Sequence, residues 1–182
     1  LDYKRKKTEY NETQHKVTLT KGFYLGKYEV TQAQWRKVMG TSPSKFSGDD
    51  RSVEQVTWSK AGSFCWNLTL MERKAGRLPD GWEYALPTEA QWEYACRAGT
   101  TTVFSFGDSL SSKQANFRGT GPYGGATTGP TVGQTTDVGS YAANPWGFYD
   151  MHGNVREWCA DWIVNYPTTL LTDPAGAASG SK

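Results

Sequence analysis

The sequence predicts an α+β fold, loop-rich, with short strands and two to three helices, and three observations carry that reading. Two Thr-x-x-Gln boxes, Thr31-x-x-Gln34 and Thr88-x-x-Gln91, each precede an apolar stripe of helical spacing. A further apolar stripe runs between them without a box. Around these, 20 Gly and 8 Pro in 182 residues leave room for short strands and much irregular chain.

Taken in order, residues 1–14 are polar and charged and read as an irregular lead-in. Val17-Thr18-Leu19-Thr20 alternates as a half-buried strand does, and Gly22 to Val30, rich in Phe and Tyr, reads as a second short strand. Thr31 opens a helix whose stripe is Trp35, Val38 and Met39 and whose stop is Gly40. A second helix spans about Thr57 to Arg73, with Ala61, Phe64, Cys65, Leu68 and Met71 on one face and Gly76 following. A third opens at Thr88, carries Trp92, Ala95 and Cys96 inward, and ends at Gly99. Trp35, Trp92 and Trp158 are expected to be buried anchors, each at the first inward position of its element.

From Thr100 to Pro145 the chain turns to Gly, Thr, Ser and short aromatic islands, and Gly119 to Gly133 is nearly free of apolar residues. A loop of that length in one domain is functional or is held by something besides a core, and a bound ion is one such staple. After Trp162 the pattern decays into Ala175-Gly176-Ala177-Ala178-Ser179-Gly180-Ser181-Lys182, which reads as an exposed loop.

Composition excludes several classes. The length fits a single domain over 1–182 that can bury a core, and its 37% hydrophobic content leans on 8 Trp, 10 Tyr and 7 Phe. A net charge of +2 without basic runs leaves no footprint for nucleic acid. No apolar run approaches the ~20 residues that span a bilayer, so a soluble segment is expected, secreted and cytoplasmic placements both remaining open. With only His15 and His152, a two-His-one-carboxylate iron site is not expected. Cys65, Cys96 and Cys159 lie at helical or near-aromatic positions with no histidine beside them in sequence, which fits small buried apolar residues better than nucleophiles.

The most informative stretch is Gly147-Phe148-Tyr149-Asp150-Met151-His152-Gly153-Asn154-Val155-Arg156-Glu157-Trp158. Two acids flank a glycine turn, so a chain reversing at Gly153 can offer main-chain carbonyls between the carboxylates of Asp150 and Glu157. That donor set suits calcium, which takes about six to eight oxygens. The plain alternative is a capped helix start followed by a buried indole at Trp158.

Three blocks together, Gly22-Phe23-Tyr24-Leu25-Gly26-Lys27-Tyr28-Glu29-Val30-Thr31-Gln32-Ala33-Gln34-Trp35, Leu86-Pro87-Thr88-Glu89-Ala90-Gln91-Trp92-Glu93-Tyr94-Ala95 and Gly153-Asn154-Val155-Arg156-Glu157-Trp158, resemble the formylglycine-generating enzyme (sulfatase-modifying factor) family. The resemblance covers about Val17 to Trp162. It implies a variant C-type-lectin-like fold and, as activity, the oxygen-dependent oxidation of a sulfatase cysteine to formylglycine by a pair of cysteines that bind copper. That pair belongs to the family's C-terminal part, near an Arg-Gly-Gly-Ser-Trp block that does not occur between Ile163 and Lys182. The domain is therefore expected to lack its C-terminal part here, and no catalytic residue is assigned.

The resemblance also implies a structural Ca²⁺ with Asp150 and Glu157 as side-chain ligands and Gly153 and Val155 as carbonyl ligands. A second ion would use Asn116 and the carbonyl of Phe117, but the aspartate that completes it in the family is replaced by Gly129-Pro130-Thr131. Positions matching Cys65 and Cys96 can form disulfides to the C-terminal part in the family, which makes a C-terminal fragment of the same protein a candidate partner. Cys159 matches a position that is often not cysteine there. Two functions follow: a formylglycine-generating-type protein acting on a sulfatase-like polypeptide, or a non-catalytic ligand-binding module resembling the retroelement-diversified variable proteins.

Overall fold

The computed structural model describes residues 14–163, 166, 168–177 and 179. Its elements run β1 (Val17–Thr18), α1 (Gln32–Met39), α2 (Trp58–Lys74), α3 (Glu89–Arg97) and β2 (Leu171–Thr172). All else described is turn, bend and irregular chain, as the Gly and Pro content requires.

Both boxes close as the sequence predicts. Thr31 is extended and its hydroxyl accepts the N–H of Gln34, while the Gln34 side chain accepts the N–H of Thr31; Thr88 and Gln91 repeat the arrangement. Each box satisfies two of the four orphan donors of its helix. Gly40 stops α1 in the left-handed region. In α3 that role passes one residue earlier, to Ala98 at φ 48, with Gly99 following at φ 82. Thr57 caps α2 without a partner glutamine.

The core is small and aromatic. Trp35 stacks on Phe64 with ring centroids 5.2 Å apart, which joins α1 to α2, and both rings are buried. Ala95, Cys96 and Met151 form a second cluster, covered by Leu25, Trp92 and Phe148. Of the three expected tryptophan anchors, Trp35 is 3% exposed and Trp92 is half-buried, but Trp158 is 38% exposed. Trp158 is fixed instead by its indole N–H, which donates to the Val56 carbonyl at 2.9 Å. Among the described residues no helix follows Asp150, so the structure offers Trp158 no inward helical position.

The strands differ from expectation. The first shortens to Val17–Thr18 and pairs parallel with Leu171–Thr172, a strand that the sequence reading did not assign. Asp173 extends the join by accepting from Thr20 through both its main-chain N–H and its hydroxyl. Gly22–Val30 does not form a strand. Its carbonyls pair singly, Lys27 with the Tyr149 N–H and Val30 with the Val53 N–H, and at its end Thr31 meets Ser52 in an isolated antiparallel bridge. Among the described residues no helix is long and apolar enough to cross a membrane.

Candidate metal centre

The 150–157 loop is built by two left-handed residues, Asp150 at φ 58 and Asn154 at φ 62, on either side of a turn that closes from the Gly153 N–H to the Asp150 carbonyl. Gly153 itself is not left-handed. It is required for a different reason: a β-carbon there would lie 2.6 Å from the Asn116 carbonyl oxygen. The glycine thus serves close approach, not reversal. Asn154 tolerates its backbone conformation better than most residues, since a short polar side chain can bond locally.

Asp150 is 8% exposed. One of its oxygens accepts the Gly139 N–H at 2.6 Å; the other, Oδ1, is buried with no hydrogen-bond partner. Burial raises its pKa, opposed by the Gly139 bond. Glu157 is exposed by accessible surface, yet protein crowds its carboxyl closely enough that desolvation is the main cause of a raised pKa. The Trp92 indole N–H opposes that rise without closing a hydrogen bond of ordinary geometry, and the Asp150 charge adds to it.

A third acid, unassigned by the sequence, completes the cluster. Glu29 is 9% exposed and its pKa is pushed up to about 7, first by burial and then by the charges of Glu157 and Asp150, against hydrogen bonds from Ser52 and Asn154. None of the three carboxyls forms a salt bridge among the described residues. Three mutually repelling acids, one oxygen unsatisfied and no cationic side chain in place, leave the site short of positive charge.

Asn154 holds the loop to the body. Its Oδ1 accepts from the Thr136 N–H at 2.8 Å and from Asn116 Nδ2 at 3.2 Å; its Nδ2 donates to Glu29 Oε2 and to Ser52 Oγ, each at 2.7 Å; its main-chain N–H donates to the Asn116 carbonyl at 2.8 Å. Asn144 secures the approach: its amide donates to the Ala95 carbonyl at the end of α3, and its Oδ1 accepts from the Trp146 and Phe148 N–H groups.

Asp150, Gly153, Val155 and Glu157 lie on one loop, and among the described residues no hydrogen bond is made to the carbonyls of Gly153 or Val155. The orphaned Asp150 oxygen and these unclaimed carbonyls are the donors a hard cation takes, so the residues present fit calcium. No group of three or more His, Cys, Asp or Glu side chains among the described residues is arranged as a metal cluster, so beyond Asp150 and Glu157 such a site would draw on main-chain oxygens. Two residues past Phe117, Gly119 stands against the carbonyls of Gly129 and Pro130, where the sequence has no aspartate to complete a second site. The Asn116 Nδ2 donates to the Gln134 carbonyl and to Asn154 Oδ1.

His152, distant from every cysteine in sequence, stands 3.8 Å from the Cys96 sulfur. Its Nε2 accepts from both the N–H and the hydroxyl of Ser105, and Phe104 and Phe106 meet its ring edge-on. Burial lowers its pKa and raises that of Cys96 to about 11. Neutral imidazole and neutral thiol are packed here, not an activated pair.

The sulfatase-modifying factor enzyme 1-like family model matches residues 2–180. A chaperone protein, LppX of Paenibacillus barcinonensis, is 35% identical over 88% of this chain and 68% of its own length. The formylglycine-generating enzyme of Mus musculus is 32% identical over 83% of this chain, which spans only 38% of that enzyme. Among solved structures, Treponema denticola variable protein 1 superposes with a TM-score of 0.63 at 28% identity, over 84% of this chain and 67% of the other. The predicted fold, C-type-lectin-like with three helices, few strands and much loop, is the one observed.

Proposed function

The chain belongs to the sulfatase-modifying factor enzyme 1-like family, and from that premise we propose that it is a calcium-stapled protein of formylglycine-generating type that engages a sulfatase-like polypeptide. One observation carries the calcium part: the buried, unpartnered oxygen of Asp150 beside the unclaimed carbonyls of its own loop. Asp150 and Glu157 would hold the ion with the carbonyls of Gly153 and Val155, and the ion would neutralise the three acids and fix a loop that has no helix or strand to support it. The polypeptide part is supported by the relatives' names, since a chaperone and a formylglycine-generating enzyme both imply polypeptide clients.

Oxidation of the client cysteine would need the family's copper-binding cysteine pair. Cys65 and Cys96 are not assigned to it: Cys96 faces His152 and the Met151 carbonyl, and burial raises the pKa of both thiols away from the thiolate that binds a metal. No redox step is therefore derived for the residues described. The test is a fluorescent peptide carrying a sulfatase-type cysteine, titrated with the protein in calcium and in chelator and then weighed by mass spectrometry. Saturable binding that weakens on chelation, with the peptide mass unchanged, is expected; no binding in calcium overturns the reading.

A second reading, a ligand-binding module without chemistry, is favoured by the likeness to the Treponema variable protein. The same titration separates the two, because a module of that kind is indifferent to replacing the peptide's cysteine with serine.

A further inference from the structure

Glu29 is the one acid of the cluster whose oxygens are both taken. Oε2 accepts from the Ser52 hydroxyl and from the Asn154 amide at 2.7 Å, and Oε1 accepts the Val155 N–H at 3.4 Å. Ser52 is fully buried and itself accepts from the Asn154 amide at 2.7 Å, so Glu29, Ser52 and Asn154 close a triangle. Asn154 lies between the two residues whose carbonyls are unclaimed. Its N–H, pinned to Asn116, belongs to the same planar peptide as the Gly153 carbonyl, which must then point away from Asn116. The Val155 N–H, drawn to Glu29, fixes the Asn154–Val155 peptide plane and so anchors the residue that carries the second unclaimed carbonyl.

We propose that Glu29, seated on Ser52, is the positioning residue of the calcium loop: through Asn154 it aims the Gly153 carbonyl, and through the Val155 N–H it anchors the residue that bears the second carbonyl, around an ion it does not touch. This rests on the calcium reading above. A negative charge buried beside Asp150 and Glu157 raises the cost of an empty site, and it is retained because the hydrogen bonds it accepts hold a non-glycine residue in the left-handed region. Glutamine at position 29 cannot replace it, since one of its two terminal atoms becomes a donor facing the Ser52–Asn154 donors or the Val155 N–H.

The test uses metal-free wild type, Glu29→Gln and Ser52→Ala, titrated calorimetrically with calcium chloride and, separately, with terbium read by indole-sensitised luminescence lifetimes in H₂O and D₂O. Wild type is expected to take one ion. Glu29→Gln should bind calcium on the order of 10–100-fold more weakly, as removal of a partner behind a metal's ligands typically does. Ser52→Ala keeps the Glu29 charge, so a weaker affinity together with a shortened terbium lifetime in H₂O, from water replacing a misaimed carbonyl, is the signature of positioning.

Wild-type affinity and lifetime in Ser52→Ala would overturn the proposal and leave Glu29 only a charge effect. Unchanged affinity in Glu29→Gln overturns it outright. A wild type that binds no calcium removes the calcium reading itself and the positioning role with it. Should Glu29→Gln fail to fold, Ser52→Ala decides alone.

Discussion

The side-chain amide of Asn154 donates to the Glu29 carboxylate at 2.7 Å across 125 residues of sequence. The bond ties the start of the domain, just before α1, to the loop that gathers Asp150 and Glu157. It also explains why a buried acid survives next to two others, since an unsatisfied Asn154 amide and Ser52 hydroxyl would each cost about 1–3 kcal/mol.

Calcium should raise thermal stability and a chelator should remove the gain. At a free concentration about a hundredfold above Kd the linkage is worth about 2.7 kcal/mol, on the order of 5–10 °C in Tm for a domain of this size. Glu157→Gln and Asp150→Asn are each expected to abolish most of the shift. Calorimetric melts with and without EDTA check this, and equal melts mean that the Asp150 oxygen is met by water alone.

Gly153→Ala should destabilise by about 1–3 kcal/mol, because the added carbon meets the Asn116 carbonyl backbone and neither side can yield without moving the loop. Gly62→Ala, with open space around it inside α2, should be neutral or stabilising. Urea unfolding of the pair gives the contrast directly.

Trp35→Ala should cost about 3–5 kcal/mol, since it vacates the stack on Phe64 and leaves a cavity between α1 and α2. Trp158→Ala should cost less, on the order of 1–2 kcal/mol, from partial burial and one hydrogen bond. Reversal of that order in chemical denaturation would refute the placement of the two indoles.

Cys96 should alkylate slowly in the folded protein, with a pH midpoint near 11 in place of the usual 8.5–9, because its neutral form is the one the fold stabilises. The sign follows: the raised folded pKa contributes stability that is intact below the unfolded pKa and is lost as pH climbs toward the folded one. Iodoacetamide labelling followed by peptide mass spectrometry, native against denatured, measures the difference.

The helices were legible because their signals are local. Thr31 with Gln34, and Thr88 with Gln91, lie within one turn of each other, and no tertiary context is needed to read them. The Asp150 loop was legible for the same reason, its acids and glycine being neighbours in the chain. Glu29 was not, because its partners stand 23 and 125 residues away. One signal was available: a carboxylate flanked by Tyr28 and Val30, in a segment rich in aromatic residues, must be paired if it turns inward. The pairing of Val17 with Leu171, the single bonds from Gly22–Val30 to Val53 and Tyr149, and the meeting of His152 with Cys96 are also long-range, and aromatic content alone misled at Gly22–Val30.

The wiring of Asn154 sets an order of assembly. Its side chain closes loops of 18, 38, 102 and 125 residues onto Thr136, Asn116, Ser52 and Glu29. Loop-closure entropy grows with such separations, and no one of these contacts repays it alone. The hub is therefore expected to form late in folding, after α1, α2 and α3 have brought their flanks together. Slow amide exchange at Asn154 would then track global unfolding, and a ribosome-bound chain released only to residue 140 would carry every helix and no site.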